Sequence, residues 1–107
     1  MVYSALDEEF ASPILAAFER STENQVTVVA QFDVESTKTV GLVNQIIAEA
    51  DQPRSDLFWN NEIMHTVRLQ KMGLLEPRSW QIDAAHPADM VAQDGSWCGF
   101  AARARVL

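Results

Sequence analysis

Apolar residues recur along this chain with two alternating periods. Val2 to Ala5 reads as a short strand, and after acidic Asp7-Glu8-Glu9 the residues Phe10, Ile14, Leu15 and Phe18 fall at helical spacing. Pro13 lies inside that helical pattern and has no backbone donor, so the pattern predicts an initial turn, with Ser12 as cap and Pro13 opening the helix proper. After the polar break Ser21-Thr22-Glu23-Asn24, the β-branched run Val26, Thr27, Val28 and Val29 predicts a buried strand over Gln25 to Ala30, the strongest strand of the chain. Residues 31–36 form the loop out of it. Val40, Val43, Ile46 and Ile47 then return to the helical period, and Pro53 closes that segment. Asp56 to Trp59 reads as a third strand, Asn60 and Asn61 as caps, and Ile63, Met64 and Val67 as a helix that Gly73 stops.

Strand followed by helix thus occurs three times, at roughly thirty residues per unit, the signature of right-handed βαβ crossovers. The expected class is α/β: a mainly parallel sheet with helices on both faces, in one domain. From Leu74 the pattern loosens around Pro77, Pro87 and Gln93-Asp94-Gly95, before Trp97 to Leu107 resumes an extended apolar character that predicts a fourth strand. The sequence stops on Arg103-Ala104-Arg105-Val106-Leu107 with no helix to follow, which reads as a portion of a longer chain.

Composition narrows the partners. With 48% hydrophobic and 21% charged residues among 107, the chain has the make-up of an ordinary globular domain. Its 8 Lys+Arg against 15 Asp+Glu give a net charge of -7, the wrong sign for a surface that neutralises phosphates, so nucleic acid is not an expected partner. No apolar run approaches the ~20 residues of a membrane span, and no secretion-type apolar region follows the first residues. Cys98 is the single cysteine, so no intramolecular disulfide is available and the redox compartment is not legible.

Five motifs occur in order: Val2-Tyr3-Ser4-Ala5 with the acidic helix start, Thr37-Lys38-Thr39-Val40-Gly41-Leu42-Val43, Asp56-Leu57-Phe58-Trp59-Asn60-Asn61-Glu62, Gly73-Leu74-Leu75, and Gly99-Phe100-Ala101-Ala102-Arg103-Ala104-Arg105-Val106. In this combination the chain resembles the type II periplasmic solute-binding proteins of ABC importers, in particular their iron(III)-binding branch. Members are about three times as long, with two α/β lobes and a ligand in the cleft between them. The resemblance therefore implies that residues 1–107 are a single partial domain, the first part of the N-terminal lobe, whose second lobe and returning central strand lie elsewhere in sequence. It also implies an extracytoplasmic location, periplasmic or membrane-anchored, and a membrane permease as partner of the whole protein. An open sheet edge in such a fragment can pair with another copy, giving a homo-oligomer.

In open parallel sheets, ligands sit beyond the carboxyl ends of the strands, where helix N-termini favour anions. That rule selects the loops Ser4 to Asp7, Asp33 to Lys38, Trp59 to Glu62 and Gly99 to Arg103. Asp7 stands where the resemblance places a metal-binding histidine; its carboxylate can bind iron(III) as a hard oxygen ligand or simply favour the helix N-terminus. Glu62, or Asn61 one residue earlier, corresponds to a glutamate of the iron branch, while Asn60 and Asn61 also suit helix capping. The tyrosines that hold iron in the family belong to the second lobe, and Tyr3 is this chain's only one. Ser36, Thr37 and Lys38 open the second helix and can hold an anion or cap it. Arg103 and Arg105 alternate along the expected fourth strand, and Arg103 is the anion partner of choice. Trp59, Trp80 and Trp97 suit packing, and His65 and His86 lack ligand spacing with another His or Cys.

The expected ligand-binding set is thus Ser4, Asp7, Ser36, Thr37, Asn60, Asn61 and Arg103, with Asp7 and Glu62 as metal ligands. The expected function is capture of iron(III), or of another organic or anionic solute, without catalysis. A small enzyme using Asp7, Glu62 and Arg103 would need a paired acid and base or a nucleophile, and the sequence offers neither at recognisable spacing. A non-binding, self-associating fragment is the third alternative.

Overall fold

A computed structural model describes residues 1–33, 38–102 and 106 of the 107. The elements run β1 (Val2–Ser4), α1 (Glu8–Ser21), β2 (Ala30–Phe32), α2 (Lys38–Ala48), β3 (Leu57–Trp59) and α3 (Ile63–Lys71), followed by a single 3-10 turn at Ala88–Met90. The three strands form one parallel sheet in the order β2-β1-β3. Val2 pairs with Ala30 on one side and Leu57 on the other; Ser4 likewise pairs with Phe32 and Trp59. This is a small α/β fold, as the alternating periods predict.

The first strand is the centre of the sheet, and its residues are buried throughout. Tyr3 and Ala5 point to one face and pack with Leu42 of α2, where Met1, Ile46 and Phe58 close around them. Val2 and Ser4 alternate onto the opposite face and are buried too, so both faces of β1 are covered. Right-handed crossovers from this strand order put α1 and α2 on opposite sides of the sheet. Gly41 lets α2 approach the end of β2: a Cβ there would lie 2.6 Å from Asp33 Oδ2, the atom that accepts a 3.0 Å hydrogen bond from Leu42 N. Gly73, at φ +72, ends α3. Gly73 N donates to Gln70 O and Leu74 N to Leu69 O, the paired bonds of a left-handed helix stop.

Three expectations are corrected. The second strand lies at Ala30–Phe32, and Val26 and Val29 are exposed. The chain leaves α1 through left-handed Glu23 and Asn24. Side chains of the helix end then take donors that a ladder would need: Val28 N donates to Glu19 Oε1 at 2.6 Å and Val26 N to Thr22 Oγ1 at 3.4 Å. Secondly, α1 is one helix from Glu8, with Pro13 inside it and Asp7 as N-cap. Pro13 is the sixth residue of α1 and removes one intrahelical donor, while Phe10 N and Ala11 N already bond Asp7 O, so the helix runs through it without a separate first turn. Thirdly, among the described residues Trp97 to Ala102 contain no strand, only an isolated antiparallel bridge between Val91 and Cys98. Ala92 N bonds Trp97 O at 3.0 Å across a tight loop turned by Gly95 at φ +75, so the segment folds on itself instead of extending the sheet.

The apolar stripe that announces α1 is not its buried face. Phe10, Ile14 and Phe18 are half exposed or more, while Ala11 is fully buried. Among the described residues no helix is long and apolar enough to cross a membrane.

Candidate functional site

The parallel ladder brings the ends of β1 and β3 side by side, with Ala5 N donating to Trp59 O at 2.9 Å. The strand order reverses direction at this point: the chain goes from β1 to β2 on one side, then crosses to β3 on the other. Crevices for ligands open at such reversals, outside the carboxyl ends of the strands. Leu6-Asp7 follows β1 and Asn60-Asn61-Glu62 follows β3, so these are the two loops at the reversal.

The structure distributes the expected site residues unevenly. Ser4 is fully buried, and its hydroxyl closes the turn after β1: Leu6 N donates to Ser4 Oγ at 3.2 Å. It shapes the flank without being presented to a ligand. Asp7 is exposed at the start of α1, where its carbonyl accepts from Phe10 N and Ala11 N and its side chain makes no capping bond. Glu8 and Glu9 follow in the first turn. Three carboxylates thus crowd the positive end of one helix dipole, which favours each of them.

Asn60 is committed locally. Its Oδ1 accepts from Glu62 N at 2.8 Å, and its Nδ2 donates to Thr66 Oγ1 at 2.9 Å, so it fixes the entry into α3 although Glu62 is the N-cap residue. Asn61 is exposed, and its Oδ1 accepts from buried Thr39 Oγ1 at 3.5 Å, tying the start of α2 to the loop after β3. Glu62 lies 3.2 Å from His65 Nε2 one helical turn on. The sequence reading set His65 aside, yet the i, i+3 spacing is the signal that finds this pair. Ser36, Thr37 and Arg103, with Arg105, lie outside the described residues.

A fourth loop does reach this end of the sheet. Phe100 packs against Trp59 with ring centroids 6.0 Å apart and planes at 58°, a tilted pair. Phe100 thus lies beside the end of β3 through an aromatic contact.

Sequence reasoning missed a polar network at the opposite side of α2. Tyr3 OH donates to Glu49 Oε2 at 2.8 Å, and Gln45 Nε2 donates to Tyr3 OH at 3.1 Å and to Glu49 Oε1 at 3.0 Å. Gln31 Nε2 completes it with a 2.6 Å bond to Gln45 Oε1. Burial and the adjacent Glu49 carboxylate hold the Tyr3 hydroxyl above its usual range. Hydrogen bonds from Gln45 and then Tyr3 hold Glu49 below the ordinary carboxylate range. The only tyrosine is thereby spent on joining β1 to α2. Its signal was present in the i, i+4 spacing of Gln45 and Glu49.

Among the described residues no group of three or more His, Cys, Asp or Glu side chains is placed to hold a metal ion. Asp7 follows β1 and Glu62 follows β3, adjacent strands of the sheet, and they offer two carboxylates; further ligands would have to come from outside this set. No known protein family, curated protein or solved structure matches the chain.

Proposed function

We propose that the chain is the first part of the N-terminal lobe of an extracytoplasmic solute-binding protein, and that it supplies one wall of a cleft that captures a small solute for an ABC importer. The observation that carries this reading is the β2-β1-β3 parallel order with the loops after β1 and β3 adjacent at the reversal. That arrangement suits ligand capture by loops and helix starts. Asp7, Asn61 and Glu62 are exposed there and provide two carboxylates and a carboxamide. Iron(III) is the first solute to test, since hard carboxylate oxygens suit it. The remaining ligands, the second wall and the hinge closure belong to the longer protein.

The test is an iron(III) citrate titration of that longer protein, followed by visible absorption, with the 107-residue chain alongside. A tyrosinate-to-iron absorption band in the longer protein alone supports iron capture with ligands from the second lobe. Absence of the band in both overturns iron and leaves an organic or anionic solute. Failure of the longer protein to bind any small solute overturns the reading itself.

A further inference from the structure

A second, separate cleft lies between α3 and the loop after the 3-10 turn, with a volume of about 570 Å³. That is within the range of small-molecule sites, roughly 300–1,000 Å³. Its walls include Gln70, Asp89, Val91, Gln93, Asp94 and Trp97, and among the described residues neither lysine nor arginine lines it. One aromatic wall, two carboxylates and two carboxamides around an open volume form a surface for a positive charge.

The polar groups are pre-set. Trp97 Nε1 donates to Gln70 Oε1 at 3.3 Å, and Gln70 Nε2 donates to Asp94 Oδ1 at 3.1 Å. The same oxygen accepts from Ser96 N at 3.0 Å and from Ser96 Oγ at 2.6 Å. Three donors therefore converge on Oδ1, while Oδ2 accepts none of them. They orient the carboxylate and, with Ser96 first, hold Asp94 below the usual carboxylate range, so it stays charged. The indole is held by its N–H, which leaves its π system as the group to meet a ligand. An indole face and a fixed carboxylate together favour an organic ammonium ion over a neutral molecule of the same shape, and the apolar Val91 and Ala92 walls favour alkyl groups over a bare metal ion.

We propose that this cleft binds a small organic ammonium ion, seated between Trp97 and the carboxylates of Asp89 and Asp94. The site stands apart from the sheet-end crevice and does not rest on the solute-binding reading.

The experiment is a choline chloride titration of the ¹⁵N-labelled chain, following the Trp97 indole N–H and the Gln70 carboxamide signals. The neutral isostere 3,3-dimethyl-1-butanol and calcium chloride run in parallel. Saturable shifts with choline are expected, with the isostere weaker by about fivefold or more, and Trp97→Leu or Asp89→Asn weakening choline by about threefold. Asp89 is exposed, so Asp89→Asn keeps the test valid if Asp94→Asn disturbs the loop. An equal response to the neutral isostere, an equal response to calcium, or no saturable shift overturns the proposal.

Discussion

Residues 1–73 and residues 74–102 are held together by different means. In the first region, the central strand buries Val2 and Tyr3, and the helices bury Leu42, Val43 and Leu69. In the second, burial is confined to Ala92 and Ser96, and the order comes from single polar ties: Arg78 N and Trp80 Nε1 both donate to Gly95 O, at 2.9 and 2.8 Å, and Gln70 reaches Asp94 and Trp97. Periodic hydrophobicity encodes a core, whereas aperiodic sequence can still encode a fixed path if each turn has its own donor and acceptor. The two means differ in cost when broken: a core deletion is felt globally, a lost tie locally.

The largest expected effect tests the core. Leu42→Ala removes a side chain packed on Tyr3 and Ala5 and should destabilise the protein by about 3 kcal/mol, read by urea unfolding. Unfolding that leaves the first region intact would remove the contrast.

Next comes Gly95→Ala. Its φ is +75 and a Cβ would lie 2.1 Å from Arg78 O, so the loop must open at a cost of about 2 kcal/mol. Hydrogen exchange should quicken in residues 78–98 while β1 keeps its protection; equal loss in both would show one cooperative unit.

Tyr3→Phe removes one donor to Glu49 and should cost about 1 kcal/mol. It also sharpens the pH profile. Tyr3 is held above its ordinary 10.0, so its contribution is full below that value and is lost as pH rises through the raised one. Glu49 is held below its ordinary 4.5, so its contribution is present above that value and is lost as pH falls through the lowered one. The variant should lose the alkaline limb and keep a reduced acid limb, since Gln45 still donates to Glu49. An unchanged alkaline limb in thermal melts would show that the network contributes nothing.

Gly41→Ala sets two opposing effects against each other. Alanine gains about 1 kcal/mol of helix propensity, but displacing Asp33 forfeits a charge-assisted bond of about 1.5–3 kcal/mol, leaving a net loss near 1 kcal/mol in chemical denaturation. A stabilised variant would show that Asp33 rotates away without loss.

The alternation of periods made the class, the three helices and the centres of β1 and β3 legible in sequence. It misplaced β2, because the run Val26 to Val29 has strand composition but its donors go to Glu19 and Thr22, an effect of the α1 end that no periodicity records. It placed a strand at Trp97 because extended apolar composition does not distinguish a ladder from a segment pinned by Gln70 and Trp59. The rule of strand ends selected Asp7, Asn61 and Glu62, and the structure leaves these three exposed after β1 and β3. The commitment of Ser4 and Asn60 to their own turns depends on local geometry that residue type leaves open.

The central strand precedes both of its partners, β2 and β3, in the sequence. On a ribosome, Tyr3 emerges into solvent long before either neighbour does, and closing those long loops precedes any ladder bond. Translation speed through residues 30–60 therefore sets how long a bare, hydrophobic β1 waits, and that interval is when a chaperone or a second nascent chain competes for it.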